Sequence, residues 1–142
     1  MARWFDDLHN RRQFARFCVE WTEFPRINGR VLVADFAGDR SGRIRFGRGV
    51  VINSSINANP VGGIRTVFLF KGPNALIELD DGAGISNVMI AAYEHVFIGK
   101  NVNIGAGVKI MDTDFHPLDL DERMRNVNIP HKPVRIEDGA FI

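Results

Sequence analysis

The side chains best suited to chemistry gather in one polar stretch. Residues 112–133 hold Asp112, Asp114, His116, Asp119, Glu122, Arg123, His131 and Lys132, and Pro117, Pro130 and Pro133 interrupt them. Asp112 and Asp114 stand close enough to His116 to orient its ring or to bind a ligand, although an acidic loop is also commonly just a solvated one. The other histidines suggest less. His9 falls in a helical stretch, His95 falls near an expected corner of the chain, and His131 sits beside Lys132. No cysteine or serine is placed as an obvious covalent nucleophile. Cys18 is the sole cysteine, so the chain has no internal disulfide and no thiolate metal cluster.

The elements that must position this stretch repeat every six residues. Aliphatic residues open successive units at Ile98, Ile104 and Ile110. Phe46 and Ile52 keep the same phase upstream, as do Leu79 and Ile85, and later Ile136 and Ile142. The fifth place of a unit is small or Val, as at Val50, Ala83, Val102 and Ala140. Gly or Asn stands beside it, where a tight turn needs dihedrals that other residues resist. A fixed period of this kind decides the architecture. Three six-residue units make one triangular coil with a short strand on each face. The opening residue points inward, and stacked coils bury a continuous apolar column that no single coil could bury alone.

The period has breaks. Residues 58–76 are irregular, with Val67, Leu69, Ala75 and Ile77 marking inserted strands. One residue is added near 91–92. The largest break is 112–133, and a loop of that length inside a repeat array is more often functional than accidental.

Ahead of the repeats, residues 3–21 have helical spacing. Trp4, Leu8, Phe14, Phe17, Cys18 and Trp21 recur at intervals of three and four, with Arg11, Arg12 and Arg16 between them. Pro25 and the Asn28–Gly29 pair end that region. The expected organisation is an N-terminal helical segment over residues 1–30 and a mainly β coil domain over 31–142. Net charge is +1, which leaves no broad basic field for nucleic acid or an anionic membrane. No stretch approaches the roughly 20 apolar residues of a membrane span. The first ten residues lack a signal pattern. A cytoplasmic protein without membrane insertion is expected.

The run from Gly107 through His116, Pro117, Leu118 and Asp119, then Glu122 and Arg123, then Lys132, Pro133, Val134, Arg135 and Ile136, resembles the hexapeptide-repeat acyltransferases. It is most similar to the maltose and galactoside O-acetyltransferase branch. The resemblance covers about residues 44–142 and implies a left-handed parallel β-helix that assembles as a homotrimer. It implies acyl transfer from acetyl-CoA to a hydroxyl of a saccharide or another alcohol, with no metal. It makes His116 the general base, because a neutral imidazole, with an unperturbed pKa near 6.5, can take the proton of an attacking alcohol. Ser86, Asn87, Asp114 and Arg123 become candidates for acceptor binding. Phe141 stands where the family usually has a Trp beside the cofactor. Chains of that family continue for several more coils, so this one is expected to be cut short at its C-terminus.

Two other readings compete. A non-catalytic assembly or scaffold protein would use the same coil without the chemistry. A zinc enzyme like the γ-class carbonic anhydrases needs three histidines on one metal, and His95, His116 and His131 lack the close pair expected.

Overall fold

The computed structural model describes residues 2–142, with side chains from Trp4 onward. The chain is mainly β, with a helix α1 (Ala2–Phe14) at its start and a short helix α2 (Leu120–Arg125) near its end. The first coil holds β1 (Cys18–Trp21), β2 (Arg26–Gly29) and β3 (Leu32–Asp35). The second holds β4 (Arg43–Phe46), β5 (Val51–Ser54) and β6 (Val67–Phe70). The third holds β7 (Leu76–Leu79), β8 (Gly84–Ser86) and β9 (Met89–Ala92). The fourth holds β10 (His95–Ile98), β11 (Asn103–Ile104) and β12 (Lys109–Met111). A fifth begins with β13 (Val134–Ile136).

Every pairing between these strands is parallel, and the chain visits three sheets in rotation. Sheet A runs β1-β4-β7-β10-β13, sheet B runs β2-β5-β8-β11, and sheet C runs β3-β6-β9-β12. This rotation is consistent with a parallel β-helix. The register stacks like on like. Ile27, Ile52, Ile85 and Ile104 align in sheet B, and Val33, Phe68, Ile90 and Ile110 align in sheet C. In sheet A the column is Trp21, Phe46, Leu79, Ile98 and Ile136. Most of these side chains are fully buried, and each full burial is worth roughly 1.5–3 kcal/mol.

The corner between sheets A and B follows from the six-residue unit. Val50, Ala83 and Val102 are buried at its fifth place. One residue earlier, Gly49, Gly82, Asn101 and Gly139 all have positive φ, between 53° and 74°. Only Gly or Asn adopts that conformation cheaply, so the turn chemistry and the buried column are set by the same short motif.

The period is adjusted in the third coil. Ile85 and Ile90 are five residues apart, whereas their register partners Ile104 and Ile110 are six apart. Asn87, with φ 44°, makes the tighter turn. A longer turn at Tyr93 and Glu94 then restores the phase. The single added residue expected near 91–92 is thus the net of one shortening and one lengthening. Val67 and Ile77 lie in regular strands, and the true insertion in the second coil is residues 55–66.

The N-terminal helix is shorter than its spacing suggests. It stops at Phe14, and Cys18–Trp21 is the first strand of sheet A, paired with β4. The stack therefore starts upstream of residue 31. Trp4 is exposed rather than part of the buried stripe. The helix caps the open end of the coil. Asn10, almost fully buried, donates from Nδ2 to the Gly29 carbonyl (2.9 Å) and accepts from the Val31 N–H (3.0 Å). His9 Nε2 lies 3.2 Å from the Val31 carbonyl. Phe14 packs on Phe46 at 5.6 Å between ring centroids and closes the apolar column. An edge that would otherwise offer unpaired backbone groups is covered.

Candidate functional site

The loop 112–133 is pinned at its neck and free at its tip. At the end of β12, Asp112 turns inward and is buried. Its carboxylate accepts the backbone N–H groups of Tyr93 (2.5 Å), Glu94 (2.8 Å) and His95 (2.8 Å). These three donors belong to the long turn that restores the six-residue phase. A carboxylate accepting several N–H bonds is a strong anchor. Asp112 is therefore committed to the coil and does not orient His116.

The two strands of the neck meet at an antiparallel bridge between Thr113 and His131. Lys132 donates its N–H to the Asp112 carbonyl (2.8 Å), and Asp114 donates its N–H to the Pro130 carbonyl (3.0 Å). The His131 ring stacks on Tyr93 with centroids 4.0 Å apart. His131 thus tethers the loop to the third coil. The Asp114 side chain lines a shallow cleft at this neck with Thr113, His131 and Lys132.

Beyond the neck the chain turns sharply. Phe115 has φ 62°, and the His116 N–H donates to the Asp114 carbonyl at 2.7 Å. Pro117 is buried and His116 is exposed. The imidazole makes no hydrogen bond among the described residues. Asp119 caps α2, accepting the Glu122 N–H at 2.9 Å. Arg123 reaches back from α2 and donates to the carbonyls of Pro117 (3.3 Å) and Leu118 (3.0 Å). Its guanidinium braces the turn that carries His116.

Ser86 and Phe141 come together elsewhere, on the outward face of sheet B. They line one cleft of about 390 Å³ with Asn53, Gly84 and Asn103. Asn53 donates from Nδ2 to Ser86 Oγ at 3.0 Å, and Asn28 donates from Nδ2 to Asn53 Oδ1 at 2.8 Å. This amide row was not foreseen from the sequence. Asn87 does not join it. It is buried, and its Nδ2 donates to the carbonyls of Ser55 (3.3 Å) and Asn59 (2.7 Å), holding the insertion 55–66 against the coil. Within one chain, then, Ser86 and Phe141 share a cleft on sheet B, Asp114 lines the neck of the loop, and His116 and Arg123 stand on its outer part.

His95 opens β10, directly after the corner turn at Tyr93 and Glu94. Its Nε2 lies 2.6 Å from Glu78 Oε2, at the end of a charge ladder on the outward face of sheet A. Glu20, Arg45 and Glu78 are register neighbours there. Glu78 and then Glu20 hold the Arg45 guanidinium above its ordinary range. Among the described residues no three His, Cys, Asp or Glu side chains converge as a metal site would require. None of the described helices is long and apolar enough to cross a membrane.

No family model matches this chain, and the searches of curated proteins and of solved structures likewise return no match.

Proposed function

We propose that this chain is an acyl-CoA-dependent O-acyltransferase, with a saccharide hydroxyl as acceptor and His116 as general base. The coil is taken as left-handed and the assembly as a homotrimer, both from the hexapeptide resemblance. The observation that carries the reading is the build of the loop. A pinned neck, a buried Pro117 and the Arg123 brace hold an exposed imidazole with no hydrogen-bond partner among the described residues, free to meet a substrate. One imidazole nitrogen would take the acceptor's hydroxyl proton as that oxygen attacks the thioester carbonyl of acetyl-CoA. The C–S bond then breaks and the proton passes to the departing thiolate. The developing oxyanion needs a backbone N–H donor. The Phe141 ring fits a contact with the acyl donor, since it is 86% exposed at the end of the sheet B cleft.

A trimer would let the loop of one copy reach the sheet B cleft of the next. The outward face of sheet C supports association. Its columns are Leu32, Val67, Met89 and Lys109, and Ala34, Leu69, Ala91 and Met111; Leu69 and Ala91 are already buried within the chain, while Leu32 and Met111 are exposed. Leu118, Leu120 and Met124 on the loop are also exposed. Such a surface favours burial against a second copy.

The test is release of free thiol from acetyl-CoA in the presence of an oligosaccharide. His116→Ala is expected to cut the rate by roughly 10²–10⁴-fold with stability unchanged within about 0.5 kcal/mol. An undiminished rate would remove His116 from the chemistry. A second reading, a non-catalytic assembly protein, is favoured by one feature: no side chain among the described residues orients the His116 ring. Absence of any acyl transfer by a folded trimer would select it.

A further inference from the structure

We propose that the outward face of sheet B is an extended groove for a straight, neutral glycan chain. The three outward faces differ in kind. Sheet A is closed by the ladder Glu20, Arg45, Glu78 and by Arg135 lying over the Phe97 ring at 4.0 Å. Sheet C is apolar apart from Lys109. From β5 to Phe141 sheet B carries uncharged hydrogen-bonding groups in register. Asn28, Asn53 and Ser86 form one row, and Arg26, Val51, Gly84, Asn103 and Phe141 form the row beside it, with Arg26 at its outer end.

The row is linked but not saturated. Asn28 gives a proton to Asn53 and Asn53 gives one to Ser86, so each group is oriented by its neighbour. An amide has two donors and an acceptor with two lone pairs, so each rung keeps capacity for a ligand. Asn103 makes no side-chain hydrogen bond among the described residues. A Cβ on Gly84 would lie 2.7 Å from Asn103 Oδ1, so the glycine leaves room for that amide over β8. Oriented amides that both donate and accept suit hydroxyls, which do the same.

The groove is long. The cleft of about 390 Å³ and a second of about 850 Å³, bounded by Phe24, Asn28 and Asn57, share Asn53. Together they run from β2 past β11 to Phe141. At a strand spacing of about 4.8 Å, the five rungs from β2 to Phe141 span roughly 19 Å. One pyranose ring is about as wide as one rung. The groove therefore suits several linked sugars, and its straight course suits an extended β-1,4-linked chain better than a curling α-1,4-linked one. Asp6 and Asp7 at its outer end are already paired with Arg30 and Arg11, and Arg26 lines that same end, so the charges are confined there and the stretch from β5 to Phe141 is uncharged.

The inference deepens the acceptor side of the proposed transferase and rests on that reading for its link to catalysis, though not for binding. The test therefore contains no acyl donor. Calorimetry with the full chain compares glucose, cellobiose, cellopentaose and maltopentaose. Cellopentaose is expected to bind saturably, at least tenfold more tightly than cellobiose or maltopentaose. Asn103→Ala should weaken it several-fold, and Val51→Trp, which fills the middle of the groove from an outward-facing position, should abolish it. Both variants leave the Asn28–Asn53–Ser86 row in place, and circular dichroism checks that they fold. No saturable cellopentaose binding by the folded protein overturns the proposal, as does equal binding of maltopentaose or of cellobiose. Failure of acyl transfer alone leaves the binding result intact and counts against the transferase instead.

Discussion

Two insertions leave the same stack of coils and are handled in opposite ways. Residues 55–66 leave sheet B in the second coil and are tied to the stack at several points, with Ile56, Val61 and Ile64 exposed between them. The Asn87 amide holds their first half, and Gly62 sits so close to Gly107 that a Cβ would meet its backbone nitrogen at 2.5 Å. Residues 112–133 leave sheet C in the fourth coil and are fixed only at the neck. Asp112, the Thr113–His131 bridge and the Tyr93 stack secure the base, while His116, Leu118, Leu120 and Met124 stay exposed. A repeat array tolerates both because each coil needs only its neighbours. The difference is in what is left free. The first loop adds cover to the stack, whereas the second holds the His116 side chain away from it on a pinned stem.

The sharpest way to break that contrast is to cut the stem. Asp112→Ala leaves three backbone donors of the 93–95 turn without their acceptor. At about 1 kcal/mol or more for each partly buried donor, the loss should be about 2–4 kcal/mol. Asp112→Asn keeps one carbonyl acceptor and should lose about half as much. Urea denaturation measures both. An Asp112→Ala chain within about 0.5 kcal/mol of the parent would mean that the neck does not depend on this carboxylate.

The stitched loop gives a smaller effect with a finer readout. Asn87→Ala removes the amide and leaves a Cβ residue at φ 44°, so roughly 2 kcal/mol should be lost. Asn87→Gly removes the same amide but relieves the backbone, so about 1 kcal/mol should be lost. In both, amide hydrogens of residues 55–66 should exchange faster while those of 112–133 are unchanged. Unaltered protection of 55–66 in Asn87→Gly would show that the loop is held by other contacts.

Much of the stem was legible in the sequence, and its details were not. The six-residue period located the buried column and the corner residues Val50, Ala83 and Val102, because inward position and turn dihedral are local properties of each unit. The helix was extended past Phe14 because Phe17, Cys18 and Trp21 happen to keep its spacing. What makes Cys18–Trp21 a strand is pairing with β4, a partner 25 residues on. The amide row on sheet B was hidden for a related reason. Its members are 25 and 33 residues apart, since insertions break the regular coil length. Asp112 looked like a partner for His116 because the two are close in sequence. Its real partners, 17 to 19 residues back, follow from the coil geometry. His116 itself was visible through its flanking run, but no local pattern told whether its ring would be held or free.

Arg123 offers the subtlest test, because it acts on the tip and not on the stem. Its guanidinium donates to two successive carbonyls, those of Pro117 and Leu118, directly after His116. The side chain is solvent-accessible, so Arg123→Ala should cost no more than about 0.5 kcal/mol in denaturation. The two carbonyls would then turn to water, and the His116 turn would sample more conformations. If the loop serves to aim the imidazole, acyl transfer should fall several-fold through kcat, with little change in the KM for acetyl-CoA. Arg123→Lys should recover little, because a single ammonium does not reproduce the planar fork of the guanidinium. A loss carried wholly by KM for the saccharide would instead assign Arg123 to acceptor binding. In that case the free end of this loop would hold substrate as well as the base, and the contrast with the stitched insertion would be stronger.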